Sequence, residues 1–337
     1  MNPTIKDVAK KANVSIATVS RILNNKPGFS EKTKQKVLKV IEELGYQPNA
    51  VARGLVNKRT ETIGVLIPKV SNMLAAEILN GIDDFAHHLG LSVIVCNTDS
   101  NGKRTMDYLR ILAEKRIDGI IFVSEMVTDA YYQAILEMKV PVVLVSTISY
   151  QFPLPYVKVD DRHAAFSATD YLIRQGHRKI AMITGSESDP VAGIPRIEGY
   201  KSALSLNGLD INEKWIVNAA NFGYEDGIRA MEEIISRELE ITAIFASSDE
   251  LAAGAISKAF QQGIAIPGQL SIIGYDNTKL AEMVVPPLTA VSQPLYEMGK
   301  TAARMLFDMI ESGKRIMESR IMPHTIVERQ TVRMIGD

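Results

Sequence analysis

The 337-residue chain has little of the chemistry that catalysis and disulfide bonding require. It contains one cysteine and five scattered histidines, so neither a disulfide framework nor a metal-ligand spacing is present. No Gly-rich phosphate loop occurs, and the adjacent His87 and His88 fall in an amphipathic segment where we expect both rings to be solvated. We therefore predict no enzyme activity, no metal site and no cofactor.

Long apolar runs are also missing. No stretch of about 18 apolar residues suggests a membrane span. Charged side chains, Lys6, Asp7, Lys10 and Lys11, stand near the amino terminus, where an export signal needs an apolar segment. We expect a cytoplasmic protein, in whose reducing environment the single Cys96 is a small buried hydrophobe.

The chain has almost no net charge, but its charges are unevenly distributed. The total is −1, whereas residues 1–60 hold twelve Lys and Arg against four Asp and Glu, a balance of +8 that leaves −9 for the remainder. Clustered cations displace counterions from a phosphate backbone, which favours nucleic acid as the partner of this segment. On charge alone, an ordinary solvated basic surface stays open as an alternative.

The first part of this basic segment carries the pattern of two short helices. Thr4 stands three residues before Asp7, the spacing of a capping box, and predicts a first helix that ends near Asn13. Ser15 predicts the start of a second helix over residues 16–24. Its core-facing positions are Val19, Ile22 and Leu23, and its outward positions are Ile16, Ala17, Ser20 and Arg21. Two helices joined in this way are typical of a helix-turn-helix.

A third helix and a short hinge follow. Ser30 predicts the start of the third helix and Gly45 its end. Residues 50–57 are too few for a stable isolated helix, because helices below roughly 12 residues are marginal in water, and Gly54 weakens this one further. We expect a hinge that becomes helical only when it is docked on DNA.

Four motifs of the basic segment resemble one known family in order and register. They are Thr4–Ala9, Val14–Arg21, Gly45–Asn49 and Ala52–Leu55. Together they resemble the headpiece of LacI/GalR-type transcriptional regulators, most of all the catabolite-control and galactose-repressor branch. The likeness continues more loosely to the carboxyl terminus.

The resemblance implies which residues contact DNA. Ile16 and Ala17 match base-reading positions and offer only apolar contacts to thymine methyl groups, whereas Arg21 can donate two hydrogen bonds to guanine. Leu55 matches a leucine that paired hinge helices wedge into the minor groove of a palindromic operator. The predicted DNA-contacting set is Thr4, Ser15, Ile16, Ala17, Thr18, Ser20, Arg21, Asn24, Asn49, Ala52 and Leu55.

From Thr62 onward, apolar runs of strand length alternate with helix-length segments. Residues 63–67, 119–123 and 270–275 are examples. Such strands are typical of buried parallel sheets, and the remaining length exceeds one typical domain. We predict an N-terminal all-α helix-turn-helix headpiece and an α/β core of two doubly wound parallel-sheet subdomains. The resemblance adds that this core is like a periplasmic binding protein.

The same resemblance places three chain crossings between the subdomains, near residues 159–160, 291–292 and 322–323. The predicted domain boundaries follow from these crossings. They are 1–47 for the headpiece, 48–60 for the hinge, 61–159 with 292–322 for the N-terminal core subdomain, and 160–291 with 323–337 for the C-terminal core subdomain.

An effector is expected in the cleft between the subdomains, at the carboxyl ends of the strands. The positions that match family effector contacts are Asn72, Ser146, Arg196, Phe222, Ser248, Asp276 and Gln293. A helix cap at Asp276 and a solvated position at Arg196 stay open as alternatives. Residues 73–76 lack the aromatic side chains usual there, so we expect few charged hydrogen bonds to a free sugar. A sugar, a sugar acid and a phosphosugar all remain candidate effectors.

We predict a sequence-specific, dimeric transcriptional repressor with a carbohydrate-related effector. One alternative is a catabolite-control-type regulator that a phosphorylated carrier protein activates. The docking pattern for that partner keeps Tyr296, Gly299, Ala302 and Arg304 but is broken at Lys300, Ala303 and Asp308. A more distant alternative is a small-molecule-binding protein without a regulatory role. No heptad tail follows Arg329 and Gln330, which favours a dimer over a tetramer.

Overall fold

The computed structural model describes residues 3–23, 27–46, 59–99, 102–315 and 317–336. The chain divides into two compact units, Met1–Glu61 and Thr62–Asp337. Within the described ranges the first unit contains only helices, and the second alternates strands and helices. None of the helices in these ranges is both long and apolar enough to cross a membrane.

The first unit contains α1 (Ile5–Ala12), α2 (Ile16–Leu23) and α3 (Glu31–Leu44). Each helix begins at a capping residue: the Thr4 backbone N–H donates to Asp7 Oδ2 (2.8 Å), and the hydroxyl oxygens of Ser15 and Ser30 accept backbone N–H groups three residues on. Helix α3 ends at Gly45, which has a φ of +60°. The three helices predicted from the sequence are therefore confirmed.

One apolar face of each helix forms the small core of this unit. The buried side chains are Val8, Ala9, Ala12, Val19, Ile22, Val37 and Val40. Because Val19 and Ile22 face inward, the opposite face of α2 is left on the surface.

In chain order, the second unit contains β1 (Thr62–Ile67), α4 (Met73–His88), β2 (Ser92–Asn97), α5 (Thr105–Lys115), β3 (Gly119–Val123), α6 (Asp129–Met138), β4 (Val142–Val145), β5 (Tyr156–Val159), α7 (Asp161–Arg174), β6 (Ile180–Thr184), α8 (Gly193–Leu206), β7 (Ile216–Asn218), α9 (Tyr224–Ser236), β8 (Ala243–Ala246), α10 (Asp249–Gln261), β9 (Ser271–Asp276), α11 (Lys279–Met283), β10 (Thr289–Ser292), α12 (Leu295–Ser312), β11 (Arg320–Met322) and β12 (Thr325–Val327). A short 3₁₀ helix, Glu213–Trp215, precedes β7.

The strands form two six-stranded sheets. The order is β11-β5-β4-β3-β1-β2 in the first sheet and β12-β10-β9-β8-β6-β7 in the second. All the strand pairs are parallel except β10 with β12. We call the first sheet with its helices the first lobe and the second sheet with its helices the second lobe. This architecture confirms the predicted fold class.

The chain passes between the sheets three times. It leaves the first sheet after Val159, leaves the second sheet after Ser292, and passes to the second sheet again between Met322 and Thr325. Apolar side chains are buried on both faces of each sheet. Ile63, Val65 and Ile67 of β1, for example, pack on one face of their sheet and Leu66 packs on the other.

Five short strands lie outside the runs predicted from the sequence. They are β5, β7, β10, β11 and β12, and each has only three or four residues. Three or four residues are too few for a periodic pattern. Hydrogen bonding to a neighbouring strand gives these segments their extended conformation.

Candidate functional site

The outward face of α2 is the candidate DNA-reading surface. Ile16 is 45% exposed although it is a large apolar residue, and Ala17 and Arg21 are also exposed. The Arg21 guanidinium lies beside Gly28, where a Cβ atom would be 3.2 Å from Arg21 Nη1. An apolar pair followed by a cation one turn later is therefore available for contact along one side of the helix.

Two of the hydroxyl residues predicted to contact DNA, Thr4 and Ser15, stand at the starts of α1 and α2. Thr4 Oγ1 donates to Asp7 Oδ2 (2.7 Å), and the hydroxyls of Ser15 and Thr18 are 2.9 Å apart. Thr4 and Ser15 are exposed, Thr18 and Ser20 are half-buried, and all four side chains fall in the basic unit. The other predicted positions, Asn24, Asn49, Ala52 and Leu55, lie outside the described residues.

The second candidate site is a cavity of about 370 Å³ between the two lobes, at the carboxyl ends of the strands. Six of the seven predicted effector positions line it: Asn72, Ser146, Arg196, Phe222, Ser248 and Asp276. Three residues at strand ends on its wall, Ser124, Ser146 and Asp276, have positive φ angles between +52° and +108° although none is glycine. Such strained backbone is concentrated at functional sites.

Arg196 forms the floor of the cavity and is 5% exposed. Its Nε donates to Asp161 Oδ1 (2.9 Å), and its Nη1 donates to the carbonyl oxygen of Ser247 (2.6 Å). The guanidinium also lies over the Tyr275 ring, 3.9 Å from the ring centroid. The alternative of a solvated first-turn arginine is therefore wrong, because α8 turns this residue inward toward a buried carboxylate.

Asp161 holds Arg196 in place and was not predicted. It accepts hydrogen bonds from Arg196 and from the Tyr275 hydroxyl (3.1 Å), and its Oδ2 is 3.0 Å from Lys158 Nζ. Burial alone would raise the pKa of Asp161, but the two cations outweigh it and lower the pKa. In the same way, Asp161 outweighs the effect of burial and raises the pKa of Arg196. Both groups are therefore charged in the folded protein.

Asp276 ends β9 beside Arg196 and is 6% exposed. The Gln293 side-chain amide donates to Asp276 Oδ1 (2.7 Å), and burial raises the pKa of Asp276 to about 7 against the opposing effects of Arg196 and Gln293. The helix-cap alternative for Asp276 is wrong, because Thr278 is the residue that precedes α11. Gln293 does not line the cavity, so it orients Asp276 instead of facing a ligand.

Asp249 is a second buried carboxyl group beside Asp276. Its Oδ2 accepts hydrogen bonds from the backbone N–H (2.6 Å) and hydroxyl (2.9 Å) of Thr278. Its Oδ1 is buried and has no hydrogen-bond partner in the part of the chain that the structure describes. Burial and the neighbouring Asp276 raise the pKa of Asp249 well above its usual range. Two carboxyl groups therefore share one poorly solvated corner of the cavity.

Two further predicted positions, Asn72 and Ser248, use their side-chain oxygens in helix caps. Asn72 Oδ1 accepts the Leu74 backbone N–H (2.8 Å) at the start of α4. The Ser248 hydroxyl accepts the Leu251 N–H (3.0 Å) and donates to the carbonyl oxygen of Phe222 (2.8 Å). These residues therefore shape the wall of the cavity and offer few free donors to a ligand.

Comparisons with known proteins agree with this architecture. The model of bacterial regulatory proteins of the lacI family matches residues 4–49, and that of a periplasmic binding protein-like domain matches residues 169–332. Catabolite control protein A of Priestia megaterium is 42% identical over 335 residues, which are 99% of this chain and 100% of that protein.

Solved structures give the same result over nearly the whole chain. The Lac repressor dimer bound to operator and the anti-inducer ONPF has a TM-score of 0.89 at 25% identity, over 99% of this chain and 100% of that one. A complex of the transcriptional regulator CelR with cellobiose has a TM-score of 0.74 at 29% identity, over 98% and 99%. The chain belongs to the lacI family of bacterial regulatory proteins.

As a member of the lacI family, the chain is a DNA-binding transcriptional regulator and not an enzyme. No cluster of three or more His, Cys, Asp or Glu side chains suited to a metal ion occurs in the described ranges. The buried Cys96 has a pKa raised to about 11 by burial, which keeps its thiol protonated.

Carboxyl groups are prominent on the wall of this lacI-family cavity, and the sequence analysis named only Asp276 among them. Six carboxyl side chains line the cavity: Asp189, Glu225, Asp226, Asp249, Glu250 and Asp276. Four of them lie in the first turns of α9 and α10, where acidic residues also favour the helix dipole. Acidic first turns that directly follow a strand end were the sequence signal for this wall.

Part of the carrier-protein pattern has a structural explanation in this lacI-family chain. Gly299 lies where α12 crosses α4, and a Cβ atom there would be 2.0 Å from the Ile78 carbonyl oxygen. Ala302 is fully buried. The Tyr296 hydroxyl donates to Asp84 Oδ2 (2.9 Å), and Arg304 lies over the Phe85 ring. Two of the four matching residues therefore serve helix packing.

Proposed function

We propose that the protein regulates transcription as a homodimer on a palindromic operator, and that a small molecule in the cavity controls this binding. The single observation that carries the DNA-reading part is the exposed face of α2, formed by Ile16, Ala17 and Arg21. Helix α2 buries one face in the core and exposes the other, as the second helix of a helix-turn-helix must do to read DNA. Similarity to the operator-bound Lac repressor dimer over 99% of the chain supports the same arrangement.

Each residue on this face has a separate task. Arg21 donates two hydrogen bonds to one guanine, while Ile16 and Ala17 contact thymine methyl groups. Thr4, Ser15, Thr18, Ser20 and Asn24 contact phosphates and set the register. Asn49 and Ala52 position the hinge, and Leu55 wedges into the minor groove at the centre of the operator.

The domain boundaries given above define the moving parts. The headpiece comprises residues 1–47 and the hinge residues 48–60; the core subdomains comprise 61–159 with 292–322 and 160–291 with 323–337. The exchange of sheets after Val159, after Ser292 and between Met322 and Thr325 supports the core boundaries. Effector binding changes the angle between the lobes, and this changes the fraction of hinge segments that are helical.

The cavity floor supports a hydroxylated, carbohydrate-related effector. A guanidinium has five N–H donors, and Arg196 uses three of them on Asp161 and Ser247, so two remain for a ligand. Asp276 Oδ1 is held by Gln293, which leaves Oδ2 as an acceptor. A donor and an acceptor side by side suit adjacent sugar hydroxyls. The CelR–cellobiose complex, which this chain resembles, supports a sugar-like ligand.

The second candidate is activation by a phosphorylated carrier protein, which the 42% identity to catabolite control protein A favours. We rank it below the small molecule. Within the carrier-docking pattern, only Tyr296 and Arg304 offer side chains at the surface, and both already contact α4. Titration with a phosphoserine-bearing carrier protein tests this ranking: no binding at high concentration supports it, and operator affinity that rises with the carrier reverses it.

The DNA-reading role is tested by selecting an operator from random duplexes and measuring its affinity by fluorescence anisotropy. Arg21→Ala is expected to weaken operator binding by about tenfold or more, and to remove discrimination at one guanine pair. Lys39→Ala, a change on the exposed side of α3, is the control and is expected to affect operator and random DNA equally. Absence of any preference for a palindrome over random DNA contradicts the proposal.

The wedge role of Leu55 is tested by comparing binding to the operator with binding to random DNA. Leu55→Ala is expected to weaken binding to the operator much more than binding to random DNA, because only a specific complex opens the central base step. Equal losses on both duplexes rule out the wedge.

A further inference from the structure

We propose that the effector carries an amino group beside its hydroxyls, as an amino sugar does, and that the cavity rejects sugar acids and phosphate esters. This inference rests on the effector role proposed for the cavity and names the ligand class. It comes from the balance of charges on the cavity wall and from one buried acceptor atom that lacks a partner.

The cavity wall carries more negative than positive charge. Six carboxyl side chains line it, whereas Lys69 and Arg196 are the only lining cations within the described ranges. Arg196 is bound to Asp161, a carboxylate outside the lining that Lys158 also contacts, and it acts on Asp276 as well. The wall therefore has more carboxyl groups than its two cations can compensate.

Three of the six carboxyl groups have their own compensation. Asp226 forms an ion pair with Arg229 (2.5 Å). Asp189 accepts the backbone N–H groups of Val191 and Gly193. Burial raises the pKa of Glu250, and Lys69 with the N–H groups of Met73 and Tyr224 compensates this in part.

Asp249 and Asp276 form the uncompensated corner. Asp249 is 1% exposed, and its Oδ1 is one of five buried side-chain atoms without a hydrogen-bond partner in the described part of the chain. Asp276 receives a hydrogen bond from Gln293 on one oxygen only. A buried acceptor without a donor is costly, typically by about 1–3 kcal/mol. A ligand ammonium brings three N–H donors and a positive charge to such a corner.

The same carboxyl groups disfavour an anionic effector. A carboxylate or phosphate placed above Arg196 would lie near Asp249, Asp276 and Glu250, all on the same wall. Like charges at close range in a poorly solvated site repel strongly. Two N–H groups of Arg196 remain as donors, and its charge is shared with Asp161. Neutral hydroxyl groups can accept hydrogen bonds from these N–H groups, whereas an anionic group would also be repelled by the neighbouring carboxyl groups.

The apolar part of the wall agrees with a ring-shaped ligand that has one charged end. Phe222 lines the cavity with its ring centroid 5.7 Å from the Arg196 guanidinium. Met73, Leu74 and Met126 line the first-lobe side. A compact ring between these side chains places hydroxyls on Arg196 and an amino group toward Asp249.

A matched set of ring compounds tests the ligand class on the wild-type protein. Glucosamine, glucose, glucuronate and glucose 6-phosphate, with their galacto and manno counterparts, are titrated by calorimetry and thermal shift. The amine is expected to bind about tenfold or more tightly than the neutral sugar of the same configuration. No binding is expected for the acid and the phosphate ester.

The outcomes separate this inference from the function on which it rests. An acid or phosphate ester that binds as tightly as the amine overturns the charge inference and leaves the effector role intact, and so does a neutral sugar of equal affinity. If no compound of any class binds, while the protein still binds its operator, the effector role of the cavity is contradicted as well.

A variant pair locates the charge that selects the amine. Asp249→Asn is expected to abolish the preference for the amine over the neutral sugar, because an amide cannot ionise opposite an ammonium group and changes the shape little. Asp210→Asn, a change at an exposed residue that does not line the cavity, is the matched control and is expected to keep the preference. An unchanged preference in folded Asp249→Asn protein contradicts the role of this carboxyl group. Should that variant not fold, the wild-type ligand series still decides.

Discussion

The two walls of the cavity have opposite chemistry although they come from lobes of similar topology. The first-lobe wall consists mainly of apolar side chains, with Lys69 as its one charged residue in the described part of the chain. The second-lobe wall contributes Arg196 and all six carboxyl side chains that line the cavity. The second-lobe wall therefore carries most of the groups that could orient a ligand, and the first-lobe wall offers few directional bonds.

This difference originates at the first turns of the helices. Helix α4 starts with Asn72 as its cap, followed by Met73, Leu74 and Ala75. Helices α9 and α10 start with pairs of acidic residues in their first turns. A wall with few directional bonds can separate from a ligand at little cost, which agrees with the change of angle between the lobes that we propose.

The largest expected effect comes from breaking the charged wall. Arg196→Met leaves the buried Asp161 with Lys158 as its remaining cation and removes the cation that acts on Asp276. We expect the free energy of unfolding to fall by about 3 kcal/mol, because a buried carboxylate loses one of its two cationic partners. Urea denaturation measures this loss.

Lys69→Met, on the apolar wall, is the control for that change. Lys69 is exposed, and we expect a change in unfolding free energy within about 0.5 kcal/mol. Similar losses in the two variants contradict the division of the cavity into a structural charged wall and a mobile apolar wall.

A smaller effect is expected from the pH dependence of the charged wall. The folded-state pKa of Asp276 is raised by burial to about 7, above the unfolded value of 3.8. Its favourable contribution is therefore complete below the unfolded pKa and is lost as the pH rises through the folded pKa. Between about pH 5 and pH 8, the Tm of the wild type is expected to fall relative to that of Asp276→Asn. Parallel Tm profiles for the two proteins argue against a raised pKa.

The apolar wall is expected to contribute less to effector affinity. Leu74→Ser removes part of a half-buried apolar side chain that lines the cavity. We expect a loss of about 1 kcal/mol, or roughly fivefold, in affinity for any ring-shaped effector whatever its charge. Calorimetry with an amine and a neutral sugar checks that both affinities fall together. If only the affinity for the amine falls, the assignment of charge selection to the second-lobe wall is wrong.

The smallest effect is expected at the single charge of the apolar wall. Lys69→Gln removes an exposed cation that acts on Glu250 across the cavity. Because exposed charge pairs contribute about 0–1 kcal/mol, we expect amine affinity to rise by less than about threefold. Calorimetry at low and high salt measures the change. A tenfold rise in amine affinity would mean that the charge of Lys69 influences ligand selection as strongly as the carboxyl groups do.

The headpiece was predicted closely because its signals are local. Thr4 with Asp7, Ser15 and Ser30 mark helix starts within three or four residues, and Gly45 marks an end. The long strands of the core were equally visible as apolar runs. The short strands were not, because the pairing of a three-residue strand such as β11 depends on a neighbour far away in the chain.

Sequence alone determined the helices of the headpiece, the long strands of the core and the exposed face of α2, since capping and apolar periodicity act over a few residues. Only the tertiary structure decided the chemistry of the cavity. Asp161 reaches Arg196 across 35 residues of sequence, and Thr278 reaches Asp249 across 29. Such partners are brought together by the packing of the sheets, so their burial and charge cannot be read from neighbouring residues.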